Sequence, residues 1–120
     1  VPFCVETSYL PQHRIPGLVA ADVFAAPSLY ALLRERFGMT FATSDFHVSV
    51  AAAPEIEADL LGLAPGVGAL AMRSTVYDRD GQPAEFLISW NHPDRVAFES
   101  LRDDTGPVKS VFTDWASPTL

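Results

Sequence analysis

Apolar and polar residues alternate along four segments of the chain, and this period of two is typical of strands with one covered face. The four segments are residues 3–10, 41–51, 70–77 and 85–90. In the second segment Phe46, Val48 and Val50 fall on the same side, which is therefore predicted to be apolar. The hairpin signal DRDG at residues 78–81 separates the third segment from the fourth. These two strands are predicted to be antiparallel neighbours.

Two other segments show helical spacing. The first opens at Pro27, carries apolar residues three and four positions apart, and meets Gly38 as a stop signal. The second opens at Pro54 and closes at Gly62, with acidic residues in its first turn, where the helix dipole favours negative charge. We therefore predict two amphipathic helices.

Strands joined by hairpins outnumber the helices, so the expected fold class is α+β, an antiparallel β-sheet with flanking helices. Residues 11–26 show no sustained period and are interpreted as a long connection with a short helical turn within 18–24. We expect residues 1–101 to form the domain. Residues 102–120 form a polar tail, broken by Gly and Pro, for which the pattern predicts no element.

The length and the net charge of the chain limit the functions that it can have. A chain of 120 residues is the usual scale of one domain, and its net charge of -7 provides no basic face for nucleic acid. The three histidines lie on separate segments without ligand spacing, so neither a metal site nor a cofactor is expected. The single Cys4 and the lack of a long apolar run are typical of a cytoplasmic protein. A start at Val1 in strand-like sequence suggests a fragment of a longer protein.

The order of short motifs along the chain is more specific than any one of them. The motifs are ETSYLP at 6–11, PGL at 16–18, SLYALL at 28–33, LGLAPG at 61–66, YDRDGQPAEF at 77–86 and DRVAF at 94–98. In this combination the sequence resembles the UTRA domain of HutC-like members of the GntR family of bacterial transcription regulators. The resemblance runs from about Pro2 to Phe98.

The resemblance implies a chorismate-lyase-like fold that senses a small-molecule metabolite effector. It also implies an allosteric regulator in which a winged helix-turn-helix domain, absent from this chain, binds DNA. The family pattern and the exposed edges of an open sheet together predict a homodimer.

Matching positions in the family face the ligand, which implies an effector-binding role for several residues here. These are Glu6, Ser28, Tyr30 and Glu85, to which we add Arg73 and Asn91. A helix start with a hydroxyl suits a carboxylate or phosphate, and carboxylates accept hydrogen bonds from hydroxyls or amines. The other interpretation of Glu6 and Glu85 is that they are solvated or ion-paired strand residues. For Arg73 the favoured interpretation is a pair with a neighbouring carboxylate.

Two other functions compete with the sensor. A chorismate-lyase-like enzyme has the same fold, and Glu6 or Glu85 could serve as its acid or base. No nucleophile, phosphate loop or metal spacing accompanies them in the sequence, so we predict no enzyme. A dimerisation module that binds no metabolite is the third alternative.

Overall fold

The computed structural model of the protein describes residues 2–101 and 109–114, and the side chains of residues 2–98. Its strands are β1 (Cys4–Tyr9), β2 (Thr43–Ala52), β3 (Gly68–Tyr77), β4 (Pro83–Asn91), β5 (Val96–Leu101) and β6 (Lys109–Asp114). Its helices are a 3-10 turn (Gln12–Arg14), α1 (Ala20–Ala25), α2 (Leu29–Phe37) and α3 (Glu55–Leu61). The predicted α+β class is confirmed.

Four strands form an antiparallel sheet in the order β1-β4-β3-β2. The hairpin predicted between β3 and β4 is therefore confirmed, and it places these two strands at the centre of the sheet. Strand β2 lies at an edge, and all ten of its residues are exposed. The covered face expected of the sheet does not extend to this strand. Phe46, Val48 and Val50 are 44%, 41% and 72% exposed, because an edge strand has a sheet neighbour on one side only.

Both helices predicted from the pattern are confirmed. Helix α2 begins at Leu29, two residues after Pro27, because the Ser28 hydroxyl accepts from the Ala31 amide and caps the helix. It ends at Gly38, whose φ of 63° is left-handed. Helix α3 ends in the same way at Gly62, with a φ of 70°.

Several short elements lie where the pattern was weak or absent. The expected connection after β1 contains the 3-10 turn and α1, close to the helical turn predicted there. The pattern assigned no element after residue 90, whereas the structure has strands β5 and β6, which pair antiparallel with Phe98 and Phe112 in register. Polar residues, Gly106 and Pro107 separate the two strands in the sequence and hide the pairing from a local pattern.

The chain divides into two compact units, and each of the four sheet strands contributes residues to both. The first unit contains the described residues within Val1–Glu6, Val48–Met72 and Ser89–Leu120. Its fully or nearly buried apolar side chains are Ala58, Leu61, Ala69, Ala71 and Val96.

The second unit contains Thr7–His47 and Arg73–Ile88. Its core is built on Leu33 of α2, Met39 and Ala84 of β4, with Leu29 and Phe41 among the side chains packed around them. Burial of these side chains is the main force that holds α2 in this unit. Among the described residues no helix is long and apolar enough to cross a membrane.

Candidate ligand-binding site

The most distinctive polar group of the second unit is the carboxylate of Glu85, which is only 3% exposed. Its Oε1 accepts a hydrogen bond of 2.5 Å from the Tyr30 hydroxyl, and its Oε2 accepts one from the Ser8 hydroxyl. A buried charge is costly unless such partners satisfy it. Two partners from distant segments therefore make this carboxylate a fixed feature of the fold.

Three elements bring these groups together. Ser8 lies on β1 and Glu85 on β4, which are neighbouring strands, and Tyr30 lies in the first turn of α2. The Tyr30 ring packs edge-on against Phe41, with 4.7 Å between ring centroids and 75° between planes. Leu33, one turn further along α2, is fully buried and fixes the helix. The hydroxyl of Tyr30 is therefore positioned by packing as well as by Glu85.

The β3–β4 hairpin just before Glu85 is also fixed by a carboxylate. Asp78 Oδ1 accepts from the backbone amides of Asp80 and Gln82, at 2.9 Å each, and Oδ2 pairs with Arg14 at 2.9 Å. The hydrogen bond from the Gln82 amide, followed by those from Asp80 and Arg14, holds the pKa of Asp78 below its ordinary value, although burial opposes the shift. Arg14 also donates to the Pro83 carbonyl, at 3.3 Å. This network joins the segment after β1 to the start of β4.

A groove of about 270 Å³ opens beside Glu85, and we name it the Glu85 groove. Its apolar walls come from Leu10, Pro11 and Pro83, and its polar groups are those of Thr75 and Glu85. The rings of Tyr9 and Phe86 complete it, with centroids 6.0 Å apart and planes tilted by 39°. An apolar cleft with a few fixed polar groups is the usual form of a small-molecule site.

The other predicted site residues lie elsewhere. Ser28 caps α2 and lines a separate cavity between α1 and α2, together with Asp22 and Arg36. Arg73 is exposed on β3. Glu6 and Asn91 belong to the first unit. Of the six predicted residues, the structure brings Tyr30 and Glu85 into direct contact.

Glu6 lies on β1 with an exposed side chain beside the half-buried Cys4. Burial, together with the charge and hydrogen bond of Glu6, raises the pKa of the Cys4 thiol to about 12. The surroundings of Glu6 thus differ from those of Glu85, although the family motifs imply the same role for both.

Asn91 is fully buried at the end of β4. Its Nδ2 donates to the Leu70 carbonyl and to the Ser89 hydroxyl, both at 2.9 Å. Its Oδ1 accepts no hydrogen bond from the part of the chain that the structure describes. Asn91 therefore links β4 to β3 within the first unit, and its Oδ1 can accept a hydrogen bond from a further donor.

Of the residues that line the groove only Glu85 was predicted from the sequence, and its partner Ser8 was not predicted either. Ser8 lies inside the ETSYLP motif, two positions after Glu6 and on the same side of the strand by alternation, so this spacing could have identified it. Tyr9 and Phe86 flank predicted residues, but nothing local indicates that their rings meet. In residues 2–98 no group of three or more His, Cys, Asp or Glu side chains is arranged to hold a metal ion.

An apolar groove beside a fixed buried carboxylate is a common form of a small-molecule site. Comparison with known proteins identifies the family of the chain. The family model of the UTRA domain matches residues 1–97, so the chain belongs to the UTRA domain family. It is homologous to the effector-binding domains of GntR-family transcriptional regulators.

Individual relatives agree with this assignment. The HTH-type transcriptional regulator Rv0792c of Mycobacterium tuberculosis is 30% identical over 108 residues, covering 88% of this chain and 40% of that protein. PhnF from Mycobacterium smegmatis has a TM-score of 0.73 at 30% identity, covering 86% of this chain and 45% of that one. The ligand-binding domain of a GntR-family regulator from Bordetella bronchiseptica shares the fold, with a TM-score of 0.78 at 24% identity. That match covers 85% of this chain and 66% of the Bordetella chain. This chain thus spans less than half the length of Rv0792c.

Proposed function

We propose that this chain is the effector-sensing domain of a cytoplasmic GntR-family regulator of the HutC type, and that a small metabolite binds in the Glu85 groove. The observation that carries the proposal is the carboxylate of Glu85, fixed by hydroxyls from β1 and α2 beside an open groove. Because residues of β1, β3 and β4 line the groove, a ligand bound there contacts strands that are far apart in sequence. Binding at such a point favours one arrangement of these elements over another.

DNA binding is assigned to a winged helix-turn-helix domain outside this chain. The chain carries a net charge of -7, which opposes contact with phosphates. Effector binding then changes operator affinity through a coupling free energy between the two sites.

The test of sensing is a thermal-shift screen of this chain against a metabolite library. A true effector raises the melting temperature by mass action. Glu85→Gln, which keeps the size of the side chain and its ability to accept, is expected to reduce the shift without unfolding the domain. Glu55→Gln, an exposed residue of α3, removes the same charge and is expected to leave the shift unchanged.

Metabolites that raise the melting temperature are then tested on the intact regulator. A metabolite that stabilises this chain is expected to change the affinity of the regulator for DNA from its own promoter region, measured by fluorescence anisotropy. A library without a stabilising metabolite contradicts the sensor and favours a dimerisation module without ligand. Turnover of the bound metabolite contradicts the assignment as a non-enzyme.

We further propose that the intact regulator is a homodimer that pairs through β2. This strand is ten residues long, lies at a sheet edge and carries neither Lys nor Pro to block pairing. Val48→Lys places a charge on this edge, whereas Val67→Lys changes a residue of equal exposure, 41%, outside the strand. Light scattering at micromolar concentration is expected to show a dimer that Val48→Lys weakens and Val67→Lys preserves. A monomeric wild-type regulator contradicts the proposal.

A further inference from the structure

The walls of the Glu85 groove offer a ligand no open charge. Among the described lining residues Glu85 alone carries a carboxylate or a cationic group, and it is 3% exposed. Its two oxygens accept from the hydroxyls of Tyr30 and Ser8, and neither of these is among the described residues that line the groove. A charged ligand would therefore lose hydration without gaining an accessible partner of opposite charge, which is costly.

The two prolines of the groove offer a ligand no hydrogen-bond donor. A proline has no backbone N–H, so Pro11 and Pro83 have only carbonyl groups to present. Both carbonyls already accept from Arg14, Pro11 from the backbone amide at 3.0 Å and Pro83 from the guanidinium at 3.3 Å. The guanidinium itself is paired with Asp78 at 2.9 Å. These walls therefore favour contact with apolar atoms of a ligand.

Aromatic surface is exposed in the groove instead. Tyr9 and Phe86 are 55% and 39% exposed, and their ring centroids are 6.0 Å apart. An apolar ligand that covers these rings removes apolar surface from water, which favours binding. Thr75 lines the same groove, and its hydroxyl has no hydrogen-bond partner within residues 2–98. That hydroxyl can donate to or accept from one polar group of a ligand.

The size of the groove favours a small molecule over a protein partner. Its seven described lining residues are far fewer than the roughly 20–30 residues a side of a stable protein interface. An apolar cavity of roughly 150 Å³ is sufficient for benzene. The volume of about 270 Å³ therefore accommodates one ring with a short substituent.

We propose that the effector of the Glu85 groove is a small uncharged molecule with an aromatic or other apolar ring. The ring packs against Tyr9, Phe86 and the two prolines, and one polar group forms a hydrogen bond with Thr75. The proposal rests on the proposed function, because it assumes that this groove is the effector site. The carboxylate of Glu85 acts on such a ligand indirectly, through the position of the β4 wall. The proposal excludes sugar phosphates, carboxylic acids and amines as effectors.

The first experiment compares probes that share a phenyl ring and differ in charge. These are 2-phenylethanol, phenethylammonium and phenylacetate, titrated into the 120-residue chain and followed by NMR. We expect the alcohol to bind about tenfold more tightly than either ion, because neither ion meets an open charge in the groove. An ion that binds as tightly as the alcohol, or an alcohol that does not bind at millimolar concentration, overturns the proposal.

Variants of the walls locate the bound probe. Phe86→Ala is expected to weaken 2-phenylethanol about fivefold through loss of the ring contact. Phe24→Ala is the matched control, because Phe24 is 88% exposed on α1 and is not among the described groove residues, and it should leave the affinity unchanged. Equal effects of the two variants overturn the proposal. The wild-type titrations decide the question even if Phe86→Ala fails to fold, as judged by circular dichroism.

The polar contact is tested with a pair of neutral probes. Thr75→Val keeps the size of the side chain and removes its hydroxyl. It should weaken 2-phenylethanol about threefold and leave ethylbenzene, which has no polar group, unchanged. Equal weakening of both probes would contradict a hydrogen bond to Thr75.

The failure of this inference is distinguishable from failure of the sensor itself. If the metabolite library yields a charged effector whose stabilising effect is lost in Phe86→Ala, the groove senses a ligand and the inference about its class is wrong. If no metabolite of any kind stabilises the chain, the proposed function fails as well.

Discussion

Glu85 and Glu6 are two strand carboxylates that the family motifs treat alike, and their surroundings in the folded chain are opposite. Glu85 is 3% exposed and accepts from Tyr30 and Ser8. Glu6 is exposed, and its charge and hydrogen bond help to raise the pKa of Cys4. The comparison shows that a motif position indicates where a carboxylate stands along the chain. Burial and partners, which come from other segments, determine whether it can organise a site.

The largest difference between the two is expected in stability. Glu85→Ala removes the acceptor of two hydroxyls and leaves space in a buried region, so the free energy of unfolding should fall by about 2 kcal/mol. Glu6→Ala at the exposed position should change it by less than about 0.5 kcal/mol. Urea unfolding of both variants measures the difference. Equal losses would show that the two carboxylates are not distinguished by burial.

A smaller effect on stability is expected from Tyr30, whose hydroxyl donates to Glu85. Tyr30→Phe deletes the donor to Glu85 Oε1 and keeps the ring against Phe41, so the unfolding free energy should fall by about 1 kcal/mol. Tyr9→Phe is the matched control, because Tyr9 lines the same groove but is 55% exposed, and it should cost less than about 0.5 kcal/mol. If Tyr9→Phe proves the more costly change, the hydrogen bond to Glu85 is not what fixes α2.

The smallest effect is expected from Glu6, and it concerns the reactivity of the Cys4 thiol. With a thiol pKa of about 12, Cys4 should react slowly with iodoacetamide at pH 9, since the thiolate is the nucleophile. Glu6→Gln removes the negative charge that opposes ionisation. It should therefore lower the pKa and raise the alkylation rate by about threefold, while burial, the larger cause, still holds the pKa above normal.

Glu55→Gln, in which the lost charge belongs to α3, should leave the alkylation rate at its wild-type value. An unchanged rate in Glu6→Gln would mean that burial alone determines the reactivity of Cys4.

Local periodicity predicted much of the fold. The two-residue period predicted all four sheet strands, and the Pro and Gly signals predicted α2 and α3, because these patterns reflect backbone preferences of nearby residues. Strands β5 and β6 were both missed, because each is short and the segment that separates them has no period of its own. The exposure of β2 was also missed, since position at a sheet edge depends on strand order.

The candidate site, like the fold, was predicted only in part from the sequence. By itself the sequence determined the family, through the order of its motifs, and it predicted a common site for Tyr30 and Glu85, which are in direct contact in the structure. Only the tertiary structure decided that the hydroxyls of Ser8 and Tyr30 meet on one buried carboxylate and that the rings of Tyr9 and Phe86 face one groove. It also placed Ser28 at a helix cap in a separate cavity. Helix and strand signals depend on residues a few positions apart, whereas these contacts join residues as many as 77 positions apart and depend on how the elements pack.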